Sequence, residues 1–426
     1  MFVARSTARI RRARLVFLAA GLAPTLALLA WATYLHSGSH RAAVERRWQE
    51  AVGVPLSVGS VEYPRPGVIR ARGCVVLAAG DRPSIELPLL EIESSADEDR
   101  LRIARLGTDA GTAAVAVDLA RRWLDDAVRL RRAFIIEVAD FSWAEPTGLP
   151  EADATVASPV PLRVECVAID GSRAIRIVRR GPSADEVRIV KNPATDRGSA
   201  VRFEIDATCV EPVPLSLIMR AIGGGSRGPT TDTADAQVTG TLHAALTSSG
   251  WEGIARGRIT GLDLAPAAAA LGDRAEGTAT VDISRLAWAE GRVSDALVEC
   301  TTTGGRIDRR LFDRVVLALA ARPGPAAARV GPAEMLEFDA AACIVAVGPH
   351  GVQVQPSAKL QAGLATSRGE VLLAPPAGAV TADRVAWLFS SPGTTYGPTA
   401  GPGAWLMSVL PSSAPQPAAT DDGTRF

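Results

Sequence analysis

The run LVFLAAGLAPTLALLAWATYL, residues 15–35, contains no charged side chain, and it limits what the rest of the chain can become. As a helix it measures about 31 Å, the thickness of a bilayer's hydrocarbon core. Arg5, Arg9, Arg11, Arg12 and Arg14 precede it. By the positive-inside rule these residues stay in the cytoplasm and the remainder of the chain is exported. Trp31 and Tyr34 fall where aromatic rings gather at the outer interface, and Pro24 is expected to kink the helix without preventing it. A cleaved signal peptide is the alternative, because Ala30 and Ala32 place small residues at the two positions a signal peptidase inspects. The length of the run fits a retained span better. Elsewhere the longest candidate, AWLMSVL at 404–410, is far too short to cross. The expectation is a single-pass protein of the inner (cytoplasmic) membrane, amino terminus in the cytoplasm, bulk in the periplasm or another extracytoplasmic space.

Beyond the span the pattern changes twice. Residues 41–51, RAAVERRWQEA, set Val44, Trp48 and Ala51 at helical spacing and predict a short juxtamembrane helix. From there a two-residue period dominates. In VRFEIDATC, Val201, Phe203, Ile205, Ala207 and Cys209 alternate with Arg202, Glu204, Asp206 and Thr208. ADAQVTGTLHAAL puts Ala236, Val238, Gly240, Leu242 and Ala244 on one side, and GTATVDI does the same with Gly277, Ala279, Val281 and Ile283. Strands with one wet face belong to antiparallel sheets. Amphipathic helices are predicted over 117–133, where Leu119, Trp123, Ala127 and Leu130 fall in line, over 308–321, and over 263–273, opened by Asp263 with Pro266 in the first turn. GGGSRGPTTDT at 223–233 breaks both periods and reads as a linker. The expected organisation is a cytoplasmic tail (1–14), a span (15–35), a β-rich region (36–222), the linker (223–233), a second β-rich module (234–389) and a disordered Pro/Gly/Ser-rich tail (390–426) around the AWLMSVL island.

Composition and motifs narrow the function. Hydrophobic residues make up 47% of the chain, enough for a sizeable core. Lys+Arg and Asp+Glu each total 46, so no net field draws the protein to nucleic acid. Cys74, Cys166, Cys209, Cys300 and Cys343 are odd in number and lack a C-x-x-C spacing; they are expected to act as small hydrophobes. His36, His40, His243 and His350 have no metal-site spacing. Gly224 to Gly228 match G-x-S-x-G around Ser226, but Pro229 follows where a nucleophile elbow needs a helix. Gly253, Gly257 and Gly261 lie in a charged segment and are expected at strand bends. Asp125 and Asp126 read as a solvated helix face. Neither a phosphate loop nor a dinucleotide fingerprint occurs. The chain is expected to be non-enzymatic, with no catalytic residue, metal or cofactor.

The order of elements carries a resemblance. In LSVGSVEYPRPGVIRARGCVVL, Leu56, Val58, Gly59 and Val61 form a first small-and-apolar strand, and Val68, Ile69, Gly73, Val75 and Leu77 a second, although Arg70 and Arg72 crowd a pair that is often apolar. Further on, GIARGRITGLDLAPAAAALGDRAEGTATVDI and TTTGGRIDRRLF supply a strand, a short helix, a strand and a G-G-x-I turn. The chain so resembles AsmA-like envelope proteins, through an amino-terminal span and a carboxy-terminal module, over about 100 residues. The resemblance implies a mainly β fold: an elongated, twisted antiparallel sheet curling into a groove with an apolar concave face, few short helices and one transmembrane helix. It implies a role in envelope lipid homeostasis or lipid transfer. Membrane lipids are then the expected partners, with other envelope proteins beside them. Phe203, Ile205, Val238, Leu242, Val281 and Ile283 are the expected lipid-contacting residues. The alternative is a structural or assembly scaffold with a closed core that binds other proteins, because alternation alone looks the same whether a row meets protein or lipid.

Overall fold

The computed structural model describes residues 7–52, 55–76, 85–95, 97–108, 110–125, 133–143, 160–169, 171–180, 184–193, 202–216, 218, 236–329, 331, 335–349, 351–360, 363–389 and 401–411. The chain is mainly β, with few helices. It divides into two compact units, Met1–Ser142 and Trp143–Phe426.

The first unit opens with a continuous helix, Thr7–Leu35, long and apolar enough to cross a membrane, none of its apolar window being buried in protein. Its middle is a π turn, Leu18–Leu22, in which the Ala23 N–H bonds to the Leu18 carbonyl. Pro24 follows at once, and a widened turn accommodates a ring that lacks an N–H and crowds the preceding turn. The Gly38–Val52 helix then buries Val44 and Trp48, as their spacing predicts. Its polar side chains seize the first strands: Glu45 accepts from the Val58 N–H at 2.7 Å, Gln49 donates to the Leu56 carbonyl at 2.8 Å, and Arg41 to that of Gly59 at 3.1 Å. Strands β1 (Leu56–Ser57) and β2 (Ser60–Arg65) both pair with β3 (Val68–Val76), which pairs with β4 (Ile85–Ser94), which pairs with β5 (Glu98–Thr108), all antiparallel. Ala71, Leu90 and Ile103 stand opposite one another in register and are buried. Arg70 and Arg72, which crowd the apolar pattern in the sequence, pair instead with Glu91 at 2.6 Å and Glu62 at 3.3 Å. The helix predicted over 117–133 runs Ala110–Asp125; strand β6, Ala133–Trp143, begins where that helix was expected to end, and residues 126–132 lie outside those described.

The second unit is a meander. Strands β7 (Val160–Ile169), β8 (Ser172–Arg180), β9 (Ala184–Lys191), β10 (Phe203–Pro214), β11 (Gln237–Thr247) and β12 (Gly250–Asp263) pair each with the next, antiparallel. The small strands β13 (Ala275–Glu276), β16 (Gly305–Asp308) and β18 (Met335–Phe338) form a separate sheet. The meander continues through β14 (Thr278–Ala289), β15 (Arg292–Thr302), β19 (Ala340–Gly348) and β20 (Gly351–Pro356). Strands β21 (Ala365–Ser367), β22 (Glu370–Ala374) and β17 (Arg322–Pro323) complete this end. Strands β10 and β11 flank the segment read as a linker and pair directly, so their register places both in one sheet; residues 223–233 themselves, Ser226 included, lie outside those described.

Two helices start where the sequence places them. Asp263 accepts from the Ala265 N–H at the head of Leu264–Ala270, and Asp308 from the Arg310 N–H at the head of Arg309–Leu319, each satisfying a donor the helix cannot pair itself. The Arg309–Leu319 helix packs over the end of the meander. There Phe312, Leu336, Phe338, Val352, Val354 and Leu372 belong to one core cluster, with Leu336 and Leu372 almost wholly buried. Arg314 ties this end together, reaching Asp273 at 2.6 Å and the carbonyls of Leu271 and Leu388. Of the region read as a disordered tail, Gly401–Val409 is helical, so the AWLMSVL island is structured.

Candidate functional site

Residues directly opposite in an antiparallel pair project from the same face, so register converts single-strand alternation into rows that cross the sheet. One row runs Val164, Ile177, Val187, Ala207, Leu242, Ala255, Leu286, Ala296, Val347, Val352, from β7 to β20. It crosses ten strands without a polar side chain. At about 4.8 Å per strand it is about 43 Å long, against about 30 Å for a bilayer's hydrocarbon core. A second row, Val213, Val238, Ile259, Val281, Cys300, Cys343, Pro356, lies beside it.

All six candidate residues fall on this face. Leu242 belongs to the first row and Val238 and Val281 to the second. Ile205 stands opposite Ile189 and Ala244, Phe203 opposite Lys191 and Leu246, and Ile283 opposite Gly257 and Val298. Every one of the six is half-buried rather than buried. Each keeps part of its surface accessible. Toward β20 the same face closes: Val345 and Val347 pack against the cluster around Phe312 and Leu336. Ile259, Leu286, Trp288 and Val298 share the face and were not singled out from the sequence, although the same two-residue period marks them.

Glycines shape the middle of the face. Gly240 and Gly257 stand directly opposite. A Cβ at Gly257 would meet the Thr239 carbonyl at 2.2 Å, and one at Gly240 would lie 2.6 Å from the Gly257 Cα. No side chain fits there, and the row between Cys209 and Ile283 is a shallow notch. A Cβ at Gly253 would strike the Trp288 ring at 2.5 Å, so the indole takes up the space that a side chain there would need. The Asp185 carboxylate accepts from the Val210 and Glu211 N–H groups at 2.6 and 3.1 Å where β10 loses register between Cys209 and Val213. It is held in turn by Arg179 at 2.6 Å.

Comparison with known proteins returns nothing. No family model matches the chain, and no curated protein or solved structure matches it either.

The opposite face is polar and cross-linked by charge. Arg176 donates to Glu186 at 2.8 Å and 3.0 Å, which holds the Glu186 carboxyl below its ordinary range. Arg285 meets Asp295 at 2.6 Å, and Arg258 meets Asp282. His243 Nδ1 lies 2.7 Å from Asp206, a hydrogen bond that raises the imidazole above its usual value. Glu204, Asp206 and His243 bring ligand atoms within 4.8 Å of one another. Sequence spacing missed this cluster because β10 and β11 supply it jointly; the His243–Asp206 bond already engages Nδ1. The sheet is thus amphipathic, ion-paired on this face and mainly apolar on the other, where the buried Arg179–Asp185 pair is an exception. What it can do chemically is cover apolar surface while remaining wetted behind.

Proposed function

We propose that the chain is a membrane-anchored, non-enzymatic envelope protein that holds lipid acyl chains on the apolar face of its second unit, in lipid homeostasis or lipid transfer. The observation that carries this reading is the ten-strand row from Val164 to Val352, half-open along β9 to β14. A monomer rarely leaves so long an apolar strip facing water, and such strips mark binding surfaces. The Thr7–Leu35 helix supports attachment of the same chain to the bilayer, and the arginines before it support export of everything that follows. The AsmA-like order of elements points the same way. On this reading the bulk lies in the periplasm or another extracytoplasmic space.

The test is mass spectrometry of small molecules extracted from the full chain after purification in mild detergent. Phospholipid at near one molecule or more per chain is expected. A protein that is folded and carries no more lipid than an unrelated single-span control leaves the scaffold reading, in which other proteins cover the face.

A further inference from the structure

Two of the five cysteines form a built pair. Cys300 on β15 and Cys343 on β19 are direct partners in register, so both side chains leave the same face of the sheet. Directly opposed residues of an antiparallel pair have Cα atoms about 4.5–5.5 Å apart, inside the range of about 4.4–6.8 Å that a disulfide spans. Each thiol is the largest influence on the other's titration. Both are free and only part-buried, whereas Cys74 and Cys166 are enclosed. Burial pushes the Cys166 thiol up to about 12 and the Cys74 thiol up to about 11, and neither has a cysteine across from it: Cys166 stands opposite Ile175 and Cys74 opposite Leu87. Beside Cys343 the Cys300 thiol is lowered, and beside Cys300 the Cys343 thiol is raised. The sulfur of Cys300 is therefore the one that reaches the reactive thiolate form first.

We propose that Cys300 and Cys343 are a redox site, closing to a cross-strand disulfide by exchange with an external disulfide. The Cys300 thiolate attacks one sulfur of a disulfide RSSR, forming a mixed disulfide and expelling RS⁻, which takes up a proton. Cys343 then gives up its proton and attacks the Cys300 sulfur, expelling the second RS⁻, which is protonated in turn. The two cysteines lose two electrons and two protons, and RSSR becomes two RSH. The bond links the long meander to the end that carries the Phe312–Leu336 core: residues 300 to 343 enclose β16, the Arg309–Leu319 helix, β17 and β18. Closing a loop of that length restricts the unfolded chain, and a rise in melting temperature of about 5–10 °C is expected. Both thiols lie on the face proposed to hold lipid, in the row that contains Val281; the pairing itself follows from strand register and the experiment reads disulfide formation rather than lipid content.

The experiment uses the full chain in detergent, reduced and then incubated with oxidised glutathione. Non-reducing tryptic mass spectrometry should show peptide 293–306 joined to peptide 330–359, two hydrogens lighter than their sum, and dithiothreitol should separate them. Cys300→Ala and Cys343→Ala should each abolish the joined species, Cys343→Ala leaving glutathione trapped on Cys300. If the wild-type protein retains both thiols, keeps glutathione on Cys300 without resolving, or joins Cys300 to any other cysteine, the proposal is overturned. It is equally overturned if the joined protein melts no higher than the reduced one.

Discussion

A carboxylate placed at residue 281 asks the half-open face a direct question. Val281→Asp in a closed core would bury an unpaired charge at several kcal/mol and stop the protein accumulating. On the face described here it reaches water between Ile259 and Cys300. The variant is expected to fold, to lose about 1 kcal/mol by thermal melting, and to retain less co-purified lipid; Phe203→Asp should behave alike. Leu336→Asp is the contrasting control, because Leu336 has no exposed surface, and it should fail to accumulate. If Val281→Asp also fails, the face is covered. His243 offers a second measurement at this scale. Its hydrogen bond to Asp206 raises its folded value above 6.5. The pair's stabilisation is therefore fully present below pH about 6.5 and is lost as pH rises through the folded value. Both side chains are nearly half exposed, so the effect on stability is small. An NMR titration of His243 should give a midpoint above 6.5, and Asp206→Asn should return it toward the ordinary value. An unchanged midpoint in Asp206→Asn would show that the bond does not form in solution.

At the scale of elements, Gly257 is a position where two strands leave no room for a side chain. A Cβ there meets the Thr239 carbonyl at 2.2 Å, so Gly257→Ala must push β11 and β12 apart. A loss of about 2 kcal/mol or more is expected from the denaturation midpoint. Gly348→Ala, with nothing within 4 Å of the new carbon, should change stability by no more than about 0.5 kcal/mol; equal losses at both sites would refute the close approach. The same glycines mark what the amino-acid order concealed. Period-two alternation exposed the apolar side of β10, β11 and β14, and all six candidate residues lie together. Alternation within one strand, however, carries no information about which residue stands opposite. That depends on the register shifts between Ala255 and Gly257 and between Ile259 and Leu262. Row continuity and the Cys300–Cys343 pairing were invisible for that reason. Cys300 in particular sits in VECTTTGG, where polar threonines hide a strand. The Asp263 cap was legible because it acts on a backbone group two residues away. Of the helix expected over 117–133, the part to Asp125 is helical, while Ala133, its expected last residue, opens β6. The glycine-rich stretch 223–233, outside the described residues, lies in the chain between β10 and β11, which are neighbours in one sheet.

For the whole molecule, the anchor sets the first prediction. A reporter joined after Phe426 should be active only outside the cytoplasm, since all five arginines before the span lie on its amino-terminal side. Activity inside would reverse the proposed topology. The chain should also resist extraction by salt and by alkali if Thr7–Leu35 is retained; release of a soluble species starting at Thr33 would establish cleavage instead. The meander has a different sort of consequence. From β7 to β12 each strand bonds to the one that follows it in the chain, and no strand waits for a distant partner. Contacts of this kind close short loops, which favours rapid assembly. They also make the length of the apolar strip a matter of counting. Adding or removing one hairpin, such as β11 with β12, changes the strip by about 10 Å and leaves the neighbours on either side with antiparallel mates. Growth by duplication, one hairpin at a time, is therefore open to this architecture in a way that a sheet built from crossovers does not permit.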